Sequence, residues 1–322
     1  MKGGFYKLYM GGLPVVEGLQ DLADYTHLSA GLLYRLSKYN DKFYQSFRLP
    51  KKRGGSRVIF CISKEMKAVQ AWILRDILDR VHVADSATGF RTGENTLDNA
   101  RRHKDNRYFL CLDIENFFPS ISYAKVYTVF KAIGYDSHVS HILASLCTCE
   151  GKLPQGGVTS PALSNIVCIR LDHRISGYAG KRNIAYTRYA DDMTFSSLSP
   201  GRLVGAKRVV VEILRDEGFT LNEAKTRFLG PRRQRKVTGL IISDESLGVG
   251  RINKRTLRAA IHGLVRANLS KAETEKLRRH ISGWLAYMNA VDRKGLEQLK
   301  LYAKRLALAH GTQKAIKGLW AK

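Results

Sequence analysis

Three features of the sequence indicate an α+β fold. Short β-prone runs fall at 108–114, 184–189, 193–197, 226–229 and 237–242. Two of them are separated only by a tight turn, which demands antiparallel pairing. Between the strands lie long stretches with apolar residues at helical spacing, without the regular βαβα alternation of a parallel sheet.

The first forty or so residues read as helical, with Leu19, Leu22, Leu28, Leu32, Leu33 and Leu36 near helical period. Arg48 to Phe60 then reads as a basic hairpin around Gly54-Gly55, a tip that tolerates left-handed backbone. Residues 64–81 are predicted as one amphipathic helix, with Met66, Val69, Trp72, Ile73, Ile77 and Leu78 on one face. Another is predicted from Pro161, capped by Ser160, to about Gly177. A further helix after Ser199-Pro200 carries Leu203, Ala206, Val210, Ile213 and Leu214. Beyond Gly250 the composition shifts to about seventeen Lys and Arg against four acids, with apolar residues again at helical spacing. This segment is a small basic helical module.

Charge narrows the function more than composition does. The apolar content of 44% is ordinary, whereas 54 Lys and Arg against 28 Asp and Glu give a net charge of +26 over 322 residues. Solubility alone needs far less, so a polyanionic partner is expected, and nucleic acid is the simplest. Five cysteines (Cys61, Cys111, Cys147, Cys149, Cys168) form no C-x-x-C pair. That speaks against a disulfide framework or zinc knuckle and for a reducing, cytoplasmic setting. No apolar run approaches the ~18 residues of a membrane span, and no secretory leader opens the chain. No membrane partner is expected.

The chemistry concentrates at Tyr189-Ala190-Asp191-Asp192, between the β-prone runs 184–188 and 193–196. Adjacent carboxylates repel unless a cation sits between them. A third, Asp113, ends the run Tyr108 to Ile114. Two strands bringing carboxylates to one point is how a pair of hard divalent cations is held for phosphoryl transfer. With the basic surface, this points to a nucleic-acid polymerase using two magnesium ions held by Asp113, Asp191 and Asp192. The Gly-rich turn Leu153 to Pro161 opens a helix and can lie under a nucleotide or template. Taken singly, the carboxylate pair could be an Asx-rich turn, the Gly-rich turn a structural loop and the hairpin a solvated one.

Taken in order, these motifs resemble a reverse transcriptase over about residues 50 to 245. The series runs from the basic hairpin through Asp113 with Phe117-Phe118, Pro154-Gln155-Gly156 and Ser160-Pro161 to Tyr189-Ala190-Asp191-Asp192. Gly218 and Lys225 follow, then a hydrophobic strand and a helical end. Within that family the chain most resembles bacterial retron reverse transcriptases. The subgroup features are Asn99-Ala100-Arg101-Arg102-His103, Gln234-Arg235-Lys236 before Val237-Thr238-Gly239, and Gly283-Trp284-Leu285.

The resemblance implies a right-hand polymerase. Residues 1–105 would form N-terminal helices and fingers, 106–250 the palm with a fingers insertion at about 125–170, and 251–322 the basic thumb. It implies that the Ile114 backbone carbonyl joins the three aspartates at the metals. Phe118 would exclude the ribose 2′-OH and Gln155, with Gly156, would contact the incoming dNTP. Lys51 or Lys52 and Arg57 would hold the triphosphate, and Lys225 would protonate pyrophosphate. Asn99, His103, Arg235, Lys236, Thr238, Arg255 and Arg258 are the candidate RNA contacts.

The implied partners are a cognate retron non-coding RNA (msr-msd), dNTPs and a separate effector protein in antiphage defence. Synthesis would start at an internal guanosine 2′-OH and give a branched RNA–DNA product (msDNA). No segment corresponds to an RNase H domain, so template removal is expected to fall to host RNase H. Two other readings stay open at this point: another bacterial reverse transcriptase, of group II intron-like or abortive-infection type, and a non-catalytic basic RNA-binding scaffold.

Overall fold

The computed structural model describes residues 3–50, 54–243, 247–266 and 269–320. Three short helices open the chain: α1 (Gly3–Met10), α2 (Leu19–Thr26) and α3 (Ala30–Lys38). Ser29 caps α3 by accepting the Leu32 N–H, and Leu33 and Leu36 face inward. Strands β1 (Tyr44–Pro50) and β2 (Ser56–Ile62) then form the basic hairpin, antiparallel from Tyr44 opposite Ile62 to Pro50 opposite Ser56. Lys51 and Lys52 lie outside the described residues.

The helix predicted over 64–81 starts where expected, with Ser63 capping α4 (Lys64–Trp72). It does not continue as one α-helix. Ile73–Ile77 is a π-helical turn and Leu78–Arg80 a 3₁₀ turn. The widened turn re-phases the apolar stripe so that Ile73, Ile77 and Leu78 all stay buried beside Met66 and Val69. Helix α5 (Thr96–Arg101) is capped by Asn95, whose side chain accepts the Leu97 and Asp98 N–H groups.

Strand β3 (Tyr108–Asp113) is buried from Phe109 onward, as suits a strand covered on both faces. Helices α6 (Tyr123–Ile133) and α7 (Ser137–Cys147) follow. The helix predicted from Pro161 to Gly177 is divided into α8 (Ser160–Val167) and α9 (Ile169–Gly180), because Cys168, at ψ 3°, leaves the helical region. Nor is Ser160 the cap. Its hydroxyl donates to the Pro154 carbonyl at 2.7 Å and ties the Gly-rich turn to the helix.

Strands β4 (Ala185–Tyr189) and β5 (Asp192–Ser197) flank the paired carboxylates, and α10 (Pro200–Asp216) leads to β6 (Arg227–Leu229). These four strands form a sheet of order β4-β5-β3-β6. The single strand predicted over 237–242 is a hairpin instead, β7 (Arg235–Val237) against β8 (Leu240–Ile242). Thr238 and Gly239, at φ 45° and 92°, make the left-handed two-residue turn that suits strand twist. Strand β9 (Leu247–Gly248) completes that three-stranded sheet. The basic end of the chain is helical: α11 (Gly250–Arg266), α12 (Lys271–Val291), α13 (Arg293–Ala309) and α14 (Gln313–Ile316).

Two compact units result. The first comprises Met1–Gly93, Leu110–Phe195 and Gly201–Arg227; the second comprises Glu94–Phe109, Ser196–Pro200 and Phe228–Lys322. The second unit has its own apolar core, in which Leu257, Ile261, Ile281, Leu285, Met288 and Leu299 meet Val237, Leu240 and Ile242. Trp284 and Trp320 pack, partly buried, against it. Among the described residues, no helix is long and apolar enough to cross a membrane.

Candidate active site

The three aspartates come from neighbouring strands of one sheet. Ala190 adopts a left-handed backbone (φ 56°), so two residues suffice to turn β4 into β5 and leave Asp191 and Asp192 at the tip. The end of β3 is held to this tip by the Ile114 N–H, which donates to the Asp191 carbonyl at 3.0 Å. On its other side the Asn222 N–H donates to the Asp113 carbonyl and the Glu115 N–H to that of Thr220, both at 2.8 Å. Asp113 is buried, Asp191 half-buried and Asp192 open to solvent.

Burial first, then the charges of Asp192 and Asp113, push the Asp191 carboxyl up to about 6. Asp192 is raised as well, by the protein mass around it and by Asp113, although solvent reaches its side chain. Lys225 answers this negative charge. Its Nζ lies 2.8 Å from each Asp113 oxygen, with hydrogen-bond geometry to Oδ2 only, so Oδ1 is a buried oxygen without a hydrogen bond. Burial opposes the ammonium, but the Asp113 bond and the three carboxylates outweigh it and raise its pKa.

Among the described residues, no three His, Cys, Asp or Glu side chains already converge as a metal cage. The donor chemistry nonetheless fits a hard divalent cation. Three carboxylates repel one another, solvent reaches at least one, and a buried Asp113 oxygen makes no hydrogen bond.

The remaining residues expected at the site are placed as follows. Phe118 is half-buried, its ring 5.5 Å from Phe117 and 6.3 Å from Phe90. Phe90 in turn lies 6.0 Å from Tyr189. The Gly-rich turn is docked on the hairpin, the Phe60 N–H donating to the Gln155 carbonyl at 2.8 Å. Gly156 has φ 124°, and a Cβ there would fall 2.2 Å from the Phe60 carbonyl oxygen, so no side chain fits. Arg57 is exposed on β2.

The expected RNA contacts divide. Asn99 and His103 are fully enclosed and Arg235 nearly so, and each meets protein. Asn99 Nδ2 reaches Thr238 Oγ1 at 3.5 Å, His103 Nδ1 lies 2.8 Å from Ser196 Oγ, and Arg235 donates to the Asn106 carbonyl at 3.2 Å. These three, expected as RNA contacts, are instead enclosed by protein and tie α5 and the segment after it to the β7–β8 hairpin and to the end of β5. Thr238 is half-buried, whereas Lys236, Arg255 and Arg258 are exposed.

Sequence reasoning missed several residues around the site. Gln70, fully buried, donates to the Tyr44 hydroxyl and the Leu146 carbonyl, both at 2.7 Å, and accepts the Val158 N–H. Its signal was a polar residue within the apolar stripe of α4. Arg188 and Asp172 form a wholly buried ion pair beside the carboxylate turn. The signal there was an arginine inside a core strand. Phe90, exposed at φ 60°, had none.

Comparison with known proteins gives the family. The family described as "Reverse transcriptase (RNA-dependent DNA polymerase)" matches residues 49–242. The chain is 39% identical over 302 residues to the retron Ec86 reverse transcriptase of Escherichia coli, covering 93% of this chain and 92% of that one. It is 32% identical to the retron Mx65 reverse transcriptase of Myxococcus xanthus, covering 89% and 71%. Among solved structures, a telomerase from Candida albicans with a fragment of telomeric RNA matches at TM-score 0.47 and 12% identity, over 86% of this chain and 62% of that one. The family match and the retron relatives show that this chain belongs to the reverse transcriptases, as an RNA-directed DNA polymerase of retron type.

Proposed function

We propose that the polymerase works through Asp113, Asp191 and Asp192, with the Ile114 carbonyl, and that it copies a cognate structured RNA from an internal guanosine 2′-OH into a branched RNA–DNA molecule. The observation that carries the reading is that the ends of β3 and the β4–β5 turn are held together, so that the charges of Asp192 and Asp113 raise the Asp191 carboxyl, with a buried Asp113 oxygen left without a hydrogen bond. Two magnesium ions held there would activate the attacking hydroxyl and offset charge on the departing pyrophosphate. Lys225, already at Asp113, holds a proton close to where pyrophosphate would leave. The Phe118 ring would crowd a ribose 2′-OH. Gln155 and Gly156 present a turn rigidly tied to Phe60, and Arg57, with Lys51, would supply cations for the triphosphate.

Lys236, Thr238, Arg255 and Arg258 would meet RNA, chiefly at phosphates and 2′-OH groups, because A-form RNA is read mainly by shape. A net charge of +26 supports this partner. A cytoplasmic location, host RNase H acting on the template and a separate effector in antiphage defence complete the reading. All five cysteines are free, which suits a reducing compartment.

The test is to purify the protein from its native operon and treat its nucleic acid with RNase, DNase and a debranching enzyme. A small DNA released from RNA by debranching is the expected result. RNA alone, with synthesis only on an added primer, would replace the branched mechanism with another mode of priming.

A further inference from the structure

Behind the carboxylate turn lies a buried polar cluster that the chemistry above does not use. Arg188 and Asp172 are both 0% exposed. Arg188 Nε and Nη2 donate to the two Asp172 oxygens at 2.9 and 2.6 Å. Its Nη1 donates to Asn165 Oδ1 and to the Ala190 carbonyl, each at 3.2 Å. Asn165 Nδ2 then donates to the Gly89 carbonyl at 2.7 Å, and the Tyr186 hydroxyl donates to Asp172 at 2.8 Å.

The Ala190 carbonyl belongs to the peptide unit that carries the Asp191 N–H, so gripping it fixes the plane from which Asp191 departs. The same turn is also packed closely against Gly89. A Cβ on Gly89 would stand 3.1 Å from the Ala190 nitrogen and 3.2 Å from Tyr189 Cγ. The segment is held there because the Thr88 N–H donates to the Arg188 carbonyl and the Arg188 N–H to that of Ser86. A buried ion pair seldom adds net stability over apolar packing of equal volume, which leaves conformational definition as its use.

We propose that Arg188, oriented by Asp172 and Asn165, is a positioning residue that together with Gly89 clamps the left-handed Ala190 turn and so aims Asp191 at its metal. This rests on the reading that Asp191 is a metal ligand. Lysine in place of Arg188 keeps a charge for Asp172 but has one ammonium and cannot also span Asn165 and Ala190. Alanine in place of Gly89 presses on the turn while leaving the ion pair whole.

The experiment measures Mn2+ binding to the full chain by electron paramagnetic resonance, without RNA or nucleotide, for the parent, Arg188→Lys, Gly89→Ala and Asp191→Asn. Thermal melts are recorded alongside. The expected result is parent binding that Asp191→Asn removes, and affinity about tenfold weaker in the other two variants, as when groups orienting a metal ligand are lost. Gly89→Ala decides the matter if Arg188→Lys does not fold. Unchanged Mn2+ affinity with a lowered melting temperature would overturn the proposal and make the cluster part of the core only. Parent binding that survives in Asp191→Asn would instead remove the metal-site reading itself, and the clamp with it.

Discussion

Lys225 places its ammonium 2.8 Å from Asp113, so the carboxylate at the end of β3 already has a cation beside it. On the proposed function, that lysine would compete with a metal for Asp113 and would stand where a proton is needed. Lys225→Gln is expected to bind Mn2+ more tightly, because a positive charge leaves the site. It is expected to incorporate dNTP about a hundredfold more slowly, as loss of a general acid does. Metal titration and single-turnover extension measure the two effects. An unchanged rate would remove Lys225 from the proton path.

Phe118→Ala opens the space between Phe117 and Phe90 beside Tyr189. Discrimination between dNTP and rNTP, taken as the ratio of kcat/KM values, is expected to fall by at least about tenfold. A ratio equal to the parent's would place the sugar selector elsewhere.

His103 gives a pH signature in stability. Burial, then the neighbouring Arg102 charge, lowers its pKa from 6.5 to about 3. Below pH 6.5 the unfolded chain takes up a proton that the folded ring refuses until about pH 3, so stability is lost as pH falls through that window. The slope from this group approaches ~1.4 kcal/mol per pH unit. His103→Gln keeps a polar partner for Ser196 and is expected to flatten the dependence between about pH 6 and pH 4. Denaturant melts at several pH values measure it, and parallel curves for both proteins would show that His103 is protonated in the fold.

Arg255 and Arg258 are exposed on α11. Changing both to Glu is expected to weaken binding of cognate RNA and to reduce the slope of log affinity against log salt by roughly 1 to 2. Filter binding across a salt series checks this. A parallel shift with the slope unchanged would mean that neither arginine neutralises a phosphate.

The parts of this protein that were legible in the sequence are those where chemistry is local. Asp191 and Asp192 advertise themselves because adjacent carboxylates at a strand turn need a cation, and the hairpin tip because Gly54-Gly55 turns between basic runs. What stayed hidden depends on distant partners. The α4 stripe showed a helix but not that a π turn would re-phase it at Ile73. Residues 237–242 read as one strand because Thr238 gives no sign of left-handed backbone, although Gly239 does. His103 and Asn99 are polar and so looked available to RNA; only the packing of α5 near Ser196 and Thr238 buries them. Asp172 and Arg188 became a pair only when α9 packed on β4.

RNA-templated DNA synthesis by the parent and by Asp191→Asn, on one primed RNA with dNTPs and Mg2+, is the decisive measurement for the carboxylate site. The expected result is extension by the parent and its loss in the variant by at least about a thousandfold. RNA affinity should be unchanged and the melting temperature equal or higher, since a repelling charge has gone. Extension that persists in Asp191→Asn, or a variant that loses its fold along with its activity, would contradict the assignment of these carboxylates as the catalytic metal site.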